Sequence, residues 1–323
     1  MGSPPAGSCD DKRQAALGSN GKLNCMTTRT PTLGYIGLGK MGSPMVMRLL
    51  SAGLPVHVWA RNPDRLGPML QAGATASSSP RDLAENAEII FTCLSDTAAV
   101  EEVVLGPEGI SAAQRSRGIL VDMSTVSPDA TIRMAAELKS RCGREWMDAP
   151  VSGGTTGAQA GTLTIMVGGS SANLGRVRPF LDHLGKRITL MGDIGSGQTT
   201  KLINQTIVAC TMMVLAEALG LAKRTGLDVA ALPAALAGGR ADSTMLQHLW
   251  PRMVENDFAP TGTIQSMVKD LKLVQSLGQA VHAAMPITAI VAELHQWLMA
   301  NGFADEDLTS AYRIFRPIGN ERT

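Results

Sequence analysis

The chain has 323 residues, 44% of them hydrophobic and 18% charged, with a formal net charge of +1. This is a globular balance in a chain long enough for two domains, and near-neutrality excludes the basic field that a nucleic acid or an anionic membrane surface would require. Aromatic residues make up only 3%, so there is no stacking platform for bases. The odd set of five cysteines (Cys9, Cys25, Cys93, Cys142 and Cys210) has no C-x-x-C pair. That argues against a disulfide framework and a zinc or other metal site, and for a reducing, cytoplasmic compartment.

Residues 1–31 are mostly small and polar, without apolar periodicity, and read as a disordered extension, with Met26 as an internal start. No hydrophobic signal-peptide core follows the first Met, and Asp10 and Asp11 are wrong for a transit peptide. From residue 33 to about 191, short β-rich runs alternate with helical patterns. The runs are LGYIG, VHVWA, EIIFTCL, GILVDMS, REWMD, LTIMVGG and RITLMG; the helical patterns include MGSPMVMRLLSAG and DATIRMAAELKSR. Continuous apolar strands in βα alternation predict a mostly parallel, doubly wound sheet. After about 195 the β signals stop. Residues 198–225 run without proline to Gly226, predicting a helix about 40 Å long. Its apolar stretch at 206–222 is interrupted by Glu217 and suits a buried helix better than a membrane span. Helical patterns continue through VAALPAALAG, STMLQHLWPRMVEN, MVKDLKLVQSLGQAVH, ITAIVAELHQWLMANG and DLTSAYRIFR, with Pro251 and Pro286 expected at helix starts or breaks.

The first strand leads into Gly37-x-Gly39-x-x-Gly42, and a helix and a second strand follow. In that context the glycines form a dinucleotide fingerprint: Gly37 for the tight turn, Gly39 for close approach to a pyrophosphate, Gly42 for helix–strand packing. Free N–H groups at the helix start then hold phosphate. The fold class is therefore α/β: a Rossmann-type doubly wound domain over 32–193, a long linking helix, and an all-α domain over 194–323. The tip of the second strand carries no acid for a ribose 2′-OH. Arg61 stands there instead, with Asn62 and Arg65 nearby, which favours the 2′-phosphate of NADP over NAD. Two further strands end in polar residues, Cys93-Leu94-Ser95-Asp96 and Asp122-Met123-Ser124-Thr125. Thr125 is placed to bond the nicotinamide ribose or amide, Ser124 and Ser127 read as helix N-caps, and Cys93 reads as core.

The segment MDAPVSGGTTGAQAGTL is rich in small residues. Ser152-Gly153-Gly154 reads equally as a carboxylate-binding nest and as a mere tight loop. In GDIGSGQTTKLINQ, Lys201 shares a helix face with Asn204 and Gln205. Taken alone, such a lysine reads as a solvated surface residue.

Taken in order, G-x-G-x-x-G, DMST, DAPVSGG, GxGxxxKxxN and the Lys269-Asp270 pair resemble the β-hydroxyacid dehydrogenase family over about residues 32–316. That family includes 3-hydroxyisobutyrate dehydrogenase and tartronate semialdehyde reductase. The resemblance implies that Gly37, Leu38, Gly39, Met41 and Gly42 hold the pyrophosphate, and that Leu94, Ser95 and Thr125 line the cofactor. It implies that Ser152, Gly153 and Gly154 bind a substrate carboxylate, that Lys201 is the general acid/base, that Asn204 or Gln205 orients substrate, and that Lys269 reaches back to the cofactor. It also implies a homodimer or homotetramer acting on a small 3-hydroxy acid or its semialdehyde. Much of the family has Asn four residues after the lysine, whereas this chain has Gln205 there and Asn204 one residue earlier. The K-x-x-N-Q pattern is more similar to the tartronate semialdehyde reductase branch. Alternatives are an imine reductase, against which Lys201 counts because another proton donor usually stands there, and a catalytically silent NADP-binding protein. Phosphogluconate chemistry is a further option for which the chain is short.

Overall fold

The computed structural model describes residues 30–114 and 118–316. The extension expected over residues 1–31, including Met26, lies up to residue 29 outside them. The strands are β1 (Leu33–Ile36), β2 (Val56–Trp59), β3 (Thr75–Ala76), β4 (Ile89–Thr92), β5 (Ile119–Asp122), β6 (Glu145–Asp148), β7 (Val151–Ser152), β8 (Leu163–Gly168) and β9 (Gly185–Gly192). The first seven helices are α1 (Gly42–Ser51), α2 (Gly67–Gln71), α3 (Pro80–Asn86), α4 (Thr97–Leu105), α5 (Pro128–Cys142), α6 (Gly154–Ala160) and α7 (Ser171–Leu181). They are followed by α8 (Ser196–Thr225), α9 (Leu232–Leu236), α10 (Thr244–Val254), α11 (Ile264–Ala280), α12 (Pro286–Leu298) and α13 (Tyr312–Phe315).

Among the described residues the strands form one sheet in the order β3-β2-β1-β4-β5-β6-β8-β7, with β9 pairing β8. Strands β1 to β6 pair in parallel. Strand β8 runs antiparallel to β6 and β7, and β9 returns parallel to β8. The sheet is mostly parallel and doubly wound, as the alternation predicts. Strands β3 and β7 have two residues each, too short for any alternation to register in the sequence. Strands β1, β4 and β5 are buried throughout. Their successive residues feed two apolar layers: Tyr35, Phe91 and Val121 on one face, Ile36, Ile90 and Leu120 on the other. Helices cover both faces, which is why these strands read as continuous hydrophobic runs.

Helix α8, at 30 residues, is about 45 Å long. It ends at Gly226, whose φ of 75° supplies the left-handed cap, with Lys223 and Arg224 in its last turn. It is long and apolar enough to cross a membrane by composition. Its inward residues Ala209, Met212, Met213, Ala216 and Leu219 are buried in the helical core with Trp250, Met253, Met267, Leu271, Val291 and Tyr312. Pro286 opens α12 as expected. Pro251 does not mark a start or break but lies inside α10. Its neighbours Trp250 and Met253 are packed in the helical core, and that burial carries the helix past the proline.

Candidate active site

Residues at the carboxyl ends of the parallel strands gather around the glycine turn. Gly37 has φ 106°, and a Cβ there would lie 2.2 Å from the Cys93 carbonyl oxygen; at Gly42 it would lie 1.9 Å from the Gly37 oxygen. Neither position tolerates a side chain. At Gly39 a Cβ would meet nothing within 4 Å, so the turn is open on that side. A tight turn with one open, side-chain-free face beside a helix start fits a dinucleotide pyrophosphate. Leu38 is buried, and its carbonyl accepts from Arg65 Nη1 at 3.1 Å. Met41 immediately precedes α1.

Arg61 and Asn62 follow β2. The Asn62 side chain caps the next turn by accepting the Asp64 N–H at 3.0 Å. Arg61 Nη2 pairs with Glu102 Oε2 of α4 at 2.7 Å, with both side chains about two-thirds exposed. Past β4, the Leu94 N–H donates to Ser124 Oγ at 2.8 Å, and Ser95 Oγ donates to Asp96 Oδ2. Ser124 is therefore no helix cap; its hydroxyl ties the β4 and β5 loops together. Ser127 does cap α5, accepting from Ala130 N–H. Cys93 lies just past β4, half-buried, and burial with the nearby Asp122 charge pushes its thiol up to about 12.

The same sheet edge holds two buried carboxylates that sequence reasoning left without a role. Thr92, Asp122 and Asp148 stand in register across β4, β5 and β6. Asp122 Oδ1 accepts from Thr92 Oγ1 at 2.9 Å and from Ser124 N–H at 3.1 Å, while burial pushes its carboxyl up to about 6. Asp148, the first residue of DAPVSGG, accepts the Gly195 and Gln198 N–H groups at 2.8 Å each. It thereby docks the first turn of α8, whose orphan donors need such an acceptor. Gln198 completes the joint: Nε2 donates to the Ser124 carbonyl at 2.9 Å and Oε1 accepts the Val126 N–H at 3.1 Å. A lone Asp and a lone Gln leave no periodic trace, so these partners emerge only in three dimensions.

Lys201 follows on the same helix. It is not the solvated residue that a lone helix lysine suggests, being 7% exposed. Its Nζ donates to Gln205 Oε1 at 2.9 Å, and Asn204 Nδ2 donates to the same oxygen at 2.9 Å. Gln205 Nε2 donates to Asp270 Oδ2 at 2.5 Å. Lys269 Nζ pairs with Asp270 Oδ1 at 3.0 Å and donates to the Thr125 carbonyl at 2.7 Å. Lys269 thus holds the backbone of the loop that follows β5. Burial lowers the Lys201 ammonium to about 8; Asp270 opposes that shift and Lys269 adds to it.

Ser152, Gly153 and Gly154 form the bend between β7 and α6, with φ of 128° at Gly153 and 60° at Gly154. Ser152 pairs with Thr164 of β8. The first turn of α8 lies on the same strand, since a Cβ at Gly197 would be 2.5 Å from the Met166 carbonyl oxygen. Across from Gly154 stands the Thr261 carbonyl, 3.7 Å from the position of a Cβ. Asp307 clamps that loop, accepting from Thr261 N–H, Thr261 Oγ1 and Gly262 N–H and pairing with Arg252.

Comparison with known proteins gives the same picture along nearly the whole chain. Residues 32–192 match the family model described as the NAD binding domain of 6-phosphogluconate dehydrogenase. Residues 195–315 match that described as NAD-binding of NADP-dependent 3-hydroxyisobutyrate dehydrogenase. The chain is 40% identical to 2-hydroxy-3-oxopropionate reductase of Escherichia coli (strain K12), over 90% of this chain and 99% of that protein. It is 34% identical to 3-hydroxyisobutyrate dehydrogenase of Pseudomonas aeruginosa, over 88% and 98%. Its fold is similar to a Mycobacterium tuberculosis 3-hydroxyisobutyrate dehydrogenase solved with L-serine, at a TM-score of 0.81 and 29% identity, covering 89% of this chain and 100% of that one. A glycine turn shaped for pyrophosphate, a buried lysine in the first turns of α8 and these two family matches together place the chain in the β-hydroxyacid dehydrogenase family, as an NAD(P)-dependent 3-hydroxyacid dehydrogenase.

Proposed function

We propose that this chain is an NADP-dependent reductase of a small carboxylate-bearing semialdehyde of the 2-hydroxy-3-oxopropionate or 3-hydroxyisobutyrate type, acting reversibly on the corresponding 3-hydroxy acid. The observation that carries the proposal is the buried Lys201 ammonium, lowered to about 8 and held at the start of α8. The similarity to 2-hydroxy-3-oxopropionate reductase supports the substrate class. Arg61 at the tip of β2 supports NADP over NAD.

The dinucleotide, when bound, supplies or takes the hydride. Gly37, Leu38, Gly39, Met41 and Gly42 hold its pyrophosphate; Leu94, Ser95 and Thr125 line it, and Lys269 fixes the Thr125 backbone. Arg61 and Asn62 meet the 2′-phosphate. Ser152, Gly153 and Gly154 bind the substrate carboxylate, and Asn204 orients the carbonyl. In reduction, protonated Lys201 delivers a proton from Nζ to the carbonyl oxygen as it becomes a hydroxyl. In oxidation, neutral Lys201 takes that proton back. A group near 8 serves both directions close to neutral pH. The domain division at 193/194 belongs to this proposal and is supported by the two family matches, which meet at the start of α8. So does a homo-oligomer of the cytoplasm, supported by exposed Ile203, Ile207, Val214 and Leu221 along α8 and by free Cys93, Cys142 and Cys210.

The test is oxidation of NADPH or NADH by purified protein with glyoxylate, with succinic, methylmalonic and tartronate semialdehydes, and with cyclic imines. Turnover of tartronate or methylmalonic semialdehyde with NADPH is expected. Turnover of imines alone would make the chain an imine reductase, and NADPH binding without turnover of anything would make it a silent binding protein.

A further inference from the structure

Gln205 stands where the family resemblance puts a substrate-orienting amide, yet every strong hydrogen-bonding site on it is taken by protein. A glutamine amide offers two acceptor sites on its oxygen and two N–H donors. Oε1 accepts from both Lys201 Nζ and Asn204 Nδ2, at 2.9 Å each. Nε2 donates to Asp270 Oδ2 at 2.5 Å and makes a second, weak contact with Met267 Sδ at 3.9 Å. The side chain is buried. A substrate oxygen would reach it only by displacing one of these partners.

The orientation of the amide is also dictated. Carboxylates only accept and ammonium groups only donate. Turned over, Gln205 would aim its oxygen at Asp270 and its N–H groups at Lys201 and Asn204 Nδ2, exchanging three hydrogen bonds for three contacts between like groups. Asp270 therefore decides which way Gln205 faces. Its own position is set by Lys269, which also holds the Thr125 carbonyl.

We propose that Gln205, locked by Asp270, is a positioning residue for Lys201 and not a contact for substrate, leaving Asn204 as the amide that meets substrate. The three N–H bonds of an ammonium lie on a cone about the Cε–Nζ bond. Fixing one on Gln205 stops rotation about that bond and so fixes the directions of the two that remain for substrate. Asn204, half-buried, spends one Nδ2 hydrogen on Gln205 and keeps its Oδ1 and its second hydrogen for substrate. The charged groups facing Lys201 are Asp270 and Lys269, both from α11. Asp270 holds the ammonium charged against the opposing pull of burial and Lys269.

This rests on Lys201 being the general acid/base, and the experiment separates the two. Lys201→Ala, Gln205→Met and Asp270→Asn are compared with wild type in reduction of the best semialdehyde from pH 6 to 10. Gln205→Met keeps the length of the side chain but provides no amide. It is expected to lower kcat about ten- to a hundredfold, the cost of a misplaced catalytic group, with substrate KM within about twofold, the scale of minor changes. Its reductive rate is also expected to fall off at a lower pH than in wild type, because the ammonium has lost an acceptor. Asp270→Asn removes the negative charge and moves that fall-off in the same direction. A Gln205→Met enzyme with raised KM and unchanged kcat would overturn the inference and return Gln205 to the substrate. So would unchanged kcat, KM and pH profile. Should Gln205→Met fail to fold, the Asp270→Asn profile decides: a shift to lower pH supports the inference and an unmoved profile overturns it. Wild-type turnover by Lys201→Ala would instead remove the acid/base reading itself.

Discussion

Gln198 grips the Ser124 carbonyl from the first turn of α8, Nε2 to oxygen at 2.9 Å, three residues before Lys201. The same side chain accepts the Val126 N–H. The loop that carries Thr125 is thus bonded on either side of that residue to the helix that carries Lys201, so the two are held as one piece. Gln198 is fully buried. Gln198→Leu would leave two buried backbone groups unpaired, at about 1–3 kcal/mol each. Urea unfolding is expected to show a loss of about 2–6 kcal/mol, with a fall in kcat in the fraction that remains folded. A stability within error of wild type would show that the clamp is dispensable.

As the proposed general acid/base, Lys201 is expected to set the pH dependence. With the ammonium near 8, reduction is supported by the protonated form and declines as pH rises through about 8, while oxidation rises through the same range. Lys201→Ala is expected to lose roughly 10²–10⁴-fold in kcat with NADPH binding retained. Lys201→Arg gives no rescue, because a guanidinium does not release its proton at working pH. Steady-state profiles in both directions check this, and parallel profiles that rise together would contradict it.

The proposed preference for NADP is testable at Arg61 and at its partner Glu102. Arg61→Ala is expected to raise the NADPH KM about ten- to a hundredfold, the worth of a charge-assisted pair, and to leave the NADH KM nearly unchanged. Glu102 pairs with the same guanidinium. An exposed pair of this kind is worth about 0.2–1 kcal/mol, so Glu102→Gln is expected to lower the NADPH KM by a few-fold at most. Equal effects of Arg61→Ala on both cofactors would remove Arg61 as the discriminator.

Asp122 is a carboxylic acid that the fold prefers protonated. Its carboxyl is raised from 3.8 to about 6 by burial, and Oδ2 is buried without a hydrogen-bond partner. The folded-state value lies above the unfolded one, so the associated stability is fully present below about 3.8 and is lost as pH rises through about 6. The loss is on the order of 2–3 kcal/mol at about 1.4 kcal/mol per unit. Thermal melts between pH 4 and 7 should show wild type losing stability relative to Asp122→Asn. Parallel curves for the two proteins would show that Asp122 does not titrate in this window.

Assembly is testable on α8. Ile207 and Val214 are about 60% exposed on a helix whose opposite face packs into the helical core. Sedimentation is expected to find a homodimer or homotetramer, and Val214→Glu to shift it toward monomer. A wild-type monomer at micromolar concentration would dispose of the oligomer proposal.

Much was legible in the sequence because it rests on local or periodic signals. Gly37-x-Gly39-x-x-Gly42 between a strand and a helix, the buried runs of β1, β4 and β5, and the proline-free stretch closing at Gly226 each encode a backbone requirement in a few neighbouring residues. Those signals determined the α/β class, the long helix and the cofactor edge. The spacing of Lys201, Asn204 and Gln205 placed them on one helix face. It gave no burial for Lys201, because a lysine pattern on a helix is the same in solvent and in a cleft. What only the tertiary structure decided are relations between residues far apart in the chain: Asp148 with Gly195 and Gln198, Gln205 with Asp270, Lys269 with Thr125, Arg61 with Glu102. A hydrogen bond or a desolvation energy depends on where two groups meet. Nothing in the spacing of single polar residues records that meeting until the sheet and helices bring them within bonding distance.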